Sequence, residues 1–145
     1  MIHDVQSNII AELEGLLALV PAFGALVFED SVLRVLDADD LELPDHFIVI
    51  QPGTTEELER AGSGSVRERV TLNITAITKV RDFAPALRAG RLGIKVALAG
   101  VKAGLSVQGV QQATFTPETP MPPGQGRRWS AHVMPLQVTY IQPLK

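Results

Sequence analysis

The chain has 145 residues, a length that one hydrophobic core serves in most domains. Apolar residues make up 46% of it and charged residues 20%, a globular composition that excludes wholesale disorder. With no cysteine and three scattered histidines, His3, His46 and His132, disulfide scaffolds, thiol chemistry, thiolate metal sites and paired-imidazole helix motifs are excluded.

The net charge of −3 hides an imbalance along the chain. Residues 1–59 carry thirteen acids and one base, Arg34, a net of −12; residues 60–145 carry twelve bases and three acids, Glu68, Asp82 and Glu118, a net of +9. Such asymmetry marks an interaction surface, and opposite fields on separate faces attract copies of one molecule head to tail. A surface that mixes both signs is the plain alternative. No apolar run of about 18 residues occurs and Met1–Asp4 lacks a basic start, so a soluble protein made in a cytoplasm, without membrane contact, is expected.

Ile2, Val5, Ile9, Leu13, Leu16, Leu17 and Val20 recur at spacings of three and four, the apolar stripe of a helix. Pro21 ends it, Asp4 caps it, and Glu12 and Glu14 fall on its wet side. Residues 25–28 and 31–36 read as brief strands around Glu29-Asp30. The acidic run Asp37–Glu42 needs water or a cation, and His46–Ile50 reads as a continuous buried strand. Residues 54–65 show no apolar period and end in Gly62-Ser63-Gly64-Ser65, so a mobile loop is expected.

Val66–Val80 alternates plainly, with Val70, Leu72, Ile74 and Ala76 on one face and Arg69, Thr71, Asn73 and Thr75 on the other. Asp82 is placed to cap a second helix with Phe83, Leu87, Ile94, Leu98 and Val101 on its buried face. Gly90, Gly93 and Gly100 either break it or let it pack closely on a sheet. Leu105–Phe115 reads as a strand with a bulge near Gly109. The Pro-rich stretch 116–126 is expected to be neither strand nor helix. In the last strand Trp129, Ala131 and Val133 share one phase and Leu136, Val138 and Tyr140 the other, with a slip at Pro135 that fits a bulge or an edge position where no amide is needed. The fold expected is α+β, a single domain over 1–145 with one mainly antiparallel sheet and two helices packed on one face.

No catalytic constellation emerges from the residues. The Gly62–Ser65 loop completes neither phosphate-binding glycine pattern, and Gly90–Gly104 matches no motif. Asp37, Asp39, Asp40 and Glu42 lack the glycine and the terminal glutamate of a calcium loop. His132 lies near Ser130, but the sequence places no acid beside it. The bases Arg67, Arg69, Lys79, Arg81, Arg88, Arg91, Lys95 and Lys102 have only Phe83 interleaved, so contact with an acidic neighbour explains them better than stacking on nucleic-acid bases. No cofactor, metal or catalytic residue is expected.

Three stretches together resemble the tail terminator proteins of long-tailed phages, particularly the small family of Mu-like phages and prophages. They are the amphipathic opening 1–20, the pair 66–80 then 82–100, and the ending Trp129-Ser130-Ala131-His132 with Leu136-Gln137-Val138-Thr139-Tyr140. The resemblance implies a non-enzymatic subunit of a six-membered ring on the end of a finished tail tube. Such a ring halts tube growth and offers a surface to the head connector. It also implies assembly in the host cytoplasm and residence in the virion tail. The glycines of the second helix depart from the family pattern, and the Pro-rich loop also fits another tail or neck component.

The charge pattern fits a ring, because head-to-tail contacts bring one patch against a different patch on the next copy. The expected interface sets Asp37, Asp39, Asp40 and Glu42 against Arg67, Arg69, Arg88 and Arg91. The expected docking loops, ordered only on contact with tube or connector, carry Glu56, Glu57 and Arg60 in one and Pro120, Pro122, Arg127 and Arg128 in or beside the other. Acids of 37–45 lining the hole would repel phosphates, so that DNA passes without binding. A head-completion or neck protein of similar shape, and a small ligand- or phosphate-binding enzyme domain, are the alternatives.

Overall fold

The computed structural model describes residues 2–145; Met1 lies outside the described residues. Asp4 opens helix α1 (Val5–Leu17), accepting from the Ser7 amide at 3.4 Å and the Ser7 hydroxyl at 2.9 Å, which satisfies an amide that the first turn leaves free. Strand β1 (Val27–Glu29) leads into helix α2 (Val32–Ala38), then the long strands β2 (His46–Ala61) and β3 (Ser65–Thr78). Helix α3 (Phe83–Ala97) precedes β4 (Val110–Phe115), the short β5 (Thr119–Met121) and β6 (Ser130–Pro143). The sheet order is β1-β2-β3-β6-β4, with β5 also beside β6. Only β1 and β2 run parallel, because α2 carries the chain back across the sheet between them; all other pairs are antiparallel. The α+β class is as expected.

Both faces of this sheet are covered, which the sequence reading does not anticipate. Ile48, Ile50, Val70, Leu72, Ile74, Met134, Leu136, Val138 and Tyr140 form one core with α1 and α3. Phe47, Val49, Ile77, Trp129 and Ala131 form a second core with Val32, Val35 and Leu36 of α2. The helices therefore do not all lie on one face: a third, short helix holds the other. This also corrects the slip expected at Pro135. Strand β6 pairs with β3 without a break from Ser130 to Pro143, so the two apolar phases are the two faces of one regular strand, each apolar where a helix covers it. Pro135 sits where the outer neighbour of β6 changes from β5 to β4 and its carbonyl accepts from the Thr116 amide at 3.0 Å, a place that demands no amide hydrogen.

Four other expectations are corrected. Residues 32–36 lie in helix rather than strand, since Val32, Val35 and Leu36 are spaced for one helical face and Ser31 caps it by accepting from the Arg34 amide. The supposed mobile loop is the outer half of β2, held by pairing from Thr55↔Val70 to Ala61↔Ser65, and only 62–64 turn, with Gly62 at φ +62°. Part of the Pro-rich stretch is strand β5. Residues 105–109 are not strand, although a register shift between Val110 and Gln112 lies close to the expected bulge.

Asp82 stands at the start of α3 without a side-chain capping bond, and Val101, expected inside, is exposed because the helix ends first. Glu12, expected in water, accepts from the amides of Ser106 at 2.7 Å and Val107 at 3.2 Å, tying α1 to the segment before β4. Tyr140 is fully buried beneath α1, its hydroxyl donating to Glu68 at 2.9 Å and accepting from Gln6 at 2.7 Å. Burial and the Glu68 carboxylate push its phenol up.

Helix α3 is continuous through its glycines, which serve contact with the α1–β1 connection rather than with the sheet. A Cβ on Gly90 would lie 2.8 Å from the ring of Phe23, and one on Gly93 the same distance from Val20. Gly90→Ala is therefore expected to destabilise by about 1–2 kcal/mol in urea unfolding, the overpacking exceeding the helix propensity that Ala adds. An unchanged or raised midpoint would show that Phe23 yields freely.

Thr75, expected on the wet face of β3, is fully buried and its hydroxyl has no partner among the described residues. It lines a cavity of about 210 Å³ with Val32, Leu33, Gln51, Asn73, Met121 and Val133. Thr75→Val removes that lone hydroxyl and is expected to stabilise by about 1 kcal/mol in the same measurement. A loss of stability would mean that water satisfies the group.

Candidate assembly surfaces

The cation required by the acidic run after α2 comes from the chain itself. Asp37 pairs with Arg127 at 2.7 Å and Asp39 with Arg128 at 3.0 Å. Asp39 closes α2 in the left-handed conformation, φ 47°, and accepts from the Trp129 indole at 3.2 Å, the role of a short polar residue at a helix end. Asp37 and Asp39, expected at a subunit interface, and Arg127 and Arg128, expected beside a separate docking loop, are joined by the fold next to Trp129. Asp40 accepts from the Glu42 amide at 2.9 Å, and neither Asp40 nor Glu42 makes an ion pair among the described residues. No three acid or histidine side chains converge as a metal site among the described residues.

The β2–β3 hairpin folds the end of the acidic segment against the start of the basic one. Glu56 faces Arg69 across the ladder and pairs with it at 2.9 Å; Glu59 faces Arg67. Glu57 pairs with Arg60 along β2, and Arg67 donates to Gln111 of β4 at 2.9 Å. Opposite charges opposite one another stabilise an antiparallel pair. The expectation of two wholly separate charged flanks is thus corrected at this hairpin, where the signs mix on one ribbon.

A third cluster was not legible in the sequence. Glu118, just before β5, meets Arg91 at 2.5 Å and Lys95 at 3.2 Å from α3, and His132 of β6 at 2.8 Å. Partial burial opposes its ionisation, but hydrogen bonds from Arg91, His132 and Lys95 prevail and hold its carboxyl down at about 2. Lys95 also stands 3.9 Å over the Phe115 ring. The fold thus supplies His132 with the acid that the sequence could not place. Two cations and one imidazole share that acid, which makes it an anchor for the Pro-rich segment, not a partner dedicated to one histidine. Pro120 lies in β5 and Pro122 just beyond it, both exposed on this anchored segment. Of the two expected docking loops, 54–61 lies in β2, and the second has only Thr119–Met121 in the sheet, with Arg127 and Arg128 held by Asp37 and Asp39.

Of the eight residues expected at an interface, five already have partners within the chain: Asp37, Asp39, Arg67, Arg69 and Arg91. Arg88, Asp40 and Glu42 remain exposed and without an ion pair among the described residues. The signal for the pairing lies in order along the chain: a hairpin pairs its flanks, and a loop returning to a helix end brings its arginines with it.

No protein-family model matches the sequence. No curated protein matches it either. Among solved structures, the fold is similar to a chain described as "Virion of native gene transfer agent (GTA) particle", with a TM-score of 0.57 and 16% identity, over 94% of this chain and 91% of that one.

Proposed function

We propose that the chain is a structural component of a phage-like particle and, within it, a tail-completion subunit. Copies of it form a ring, six-membered in the family it resembles, on the end of the tail tube. The ring stops tube growth and docks to the head connector, while DNA passes through its lumen unbound. It is built in the host cytoplasm and stays in the virion tail. The observation that carries this reading is the fold shared along nearly the whole length of both chains with a virion component, in a sequence whose opening, middle and ending resemble tail terminators.

The role is non-enzymatic: matching of surfaces does the work, with no bond made or broken. Rigid edges suit it. The Asp37–Arg127, Asp39–Arg128 and Glu118 clusters fix the segments around β5 before any partner arrives, so little ordering entropy opposes docking.

The test is deletion of the gene from a strain that releases particles, followed by electron microscopy of the lysate. Tails of uncontrolled length without heads are expected. Particles of normal length and infectivity would overturn the reading, and intact tails beside leaking heads would assign the protein to head completion instead.

A further inference from the structure

We infer that the outward face of α3 receives the Asp40–Leu41–Glu42 turn of a second copy, head to tail. This rests on the reading that the chain associates with its own copies, and adds where they touch. Leu87 and Ile94 turn into the core, which leaves Arg88, Leu92 and Val96, four residues apart, on the opposite side of the helix. Leu92 is 59% exposed, Val96 70%, and Val101 just beyond the helix 81%. Arg88 and Lys102 border these apolar side chains in sequence, exposed and without ion pairs among the described residues. Branched aliphatic side chains gathered on one helix face mark a contact surface more often than isolated ones do.

The turn after α2 has the complementary chemistry. Leu41 is 66% exposed between Asp40 and Glu42, and neither acid has a cation among the described residues. The two surfaces cannot meet within one chain: α2 packs on the Phe47–Val49–Ile77 face of the sheet and α3 on the Ile48–Ile74–Met134 face. A patch on one side and its complement on the other give a heterologous contact, which propagates from copy to copy and closes when the rotation allows. Burial of Leu41 against Leu92 and Val96 supplies contact area, and the four flanking charges supply register and encounter rate.

The full chain is measured by sedimentation and native mass spectrometry at low salt, as wild type, as Arg88→Glu with Lys102→Glu, as Asp40→Lys with Glu42→Lys, and as all four changes together. Wild type is expected to associate, and each double variant to associate about tenfold more weakly or less. The fourfold swap, and an equal mixture of the two double variants, restore association. All four substituted positions are exposed, and circular dichroism checks that each variant folds. Three results would each overturn the inference: wild type remaining monomeric, double variants that associate like wild type, or a swap that restores nothing. Failure of the wider reading is seen separately, as normal tails after gene deletion.

Discussion

Trp129→Ala is expected to lower stability by about 3–5 kcal/mol, the range for truncating a buried large aromatic. Trp129 is 3% exposed and meets Phe47 edge to face at 5.2 Å between centroids, with Lys79 at 5.6 Å over its ring and its indole donating to Asp39. It closes the second core, whose only helix is the two-turn α2. Such a short helix has no stability of its own, so it depends on this packing. Urea unfolding gives the global loss, and hydrogen exchange over Val32–Ala38 is expected to accelerate first. Trp129→Phe keeps much of the ring area, forfeits the bond to Asp39, and is expected to fall well short of that loss. A decrease below about 1 kcal/mol for the alanine variant would mean that the second core is dispensable.

Glu118→Ala is expected to destabilise by about 2–3 kcal/mol, because it leaves Arg91, Lys95 and His132 gathered without their shared anion. The same group makes stability depend on acid. Its folded carboxyl titrates at about 2, against an ordinary 4.5. A depressed carboxylate contributes stability that is fully present above its ordinary value and is lost as pH falls towards the folded one. With allowance for solvent screening, about 1–2 kcal/mol of stability is expected to disappear over that interval. Glu118→Gln should flatten this part of the unfolding profile, and protection of the Thr119 and Met121 amides should fall with it. A profile identical to wild type would contradict the anchoring role.

What was legible in the sequence follows from how many neighbours a segment needs. Helix α1 and the inner part of β3 announce themselves because one face is buried along their whole length, so the apolar period survives intact. The outer half of β2 carries no such period: Glu56, Glu57, Glu59 and Arg60 are all exposed, and the strand exists because β3 pairs with it. Helix α2 was hidden by its branched residues, which read as strand, although Val32, Val35 and Leu36 already show spacings of three and four. The two phases of β6 are visible in the sequence but read as a slip, since a sheet covered on different faces at its two ends has no simple signature.

For the candidate surfaces, residue type was legible and partnership was not. The acids of 37–42 clearly need compensation, yet only the return of the chain at Gly126–Trp129 shows that Arg127 and Arg128 provide it. Glu118 is the lone acid of a Pro-rich stretch, which singles it out in retrospect; its three partners come from segments 23 to 27 residues earlier and 14 later. A summed charge per segment therefore overstates the field at a surface. Pairing within the chain removes part of it, at Asp37, Asp39, Asp45, Glu56 and Glu57, and Arg88 and Lys102 on one side and Asp40 and Glu42 on the other are among the charges left without an ion pair among the described residues.

The most direct measurement is the copy number of this chain in purified particles from the strain that encodes it, by quantitative mass spectrometry against isotope-labelled peptides. A tail-completion ring requires a small fixed number per particle, about six for a single closed ring of the kind proposed. Absence of the chain from intact particles, or a number that varies from one preparation to the next, would contradict a place in the virion.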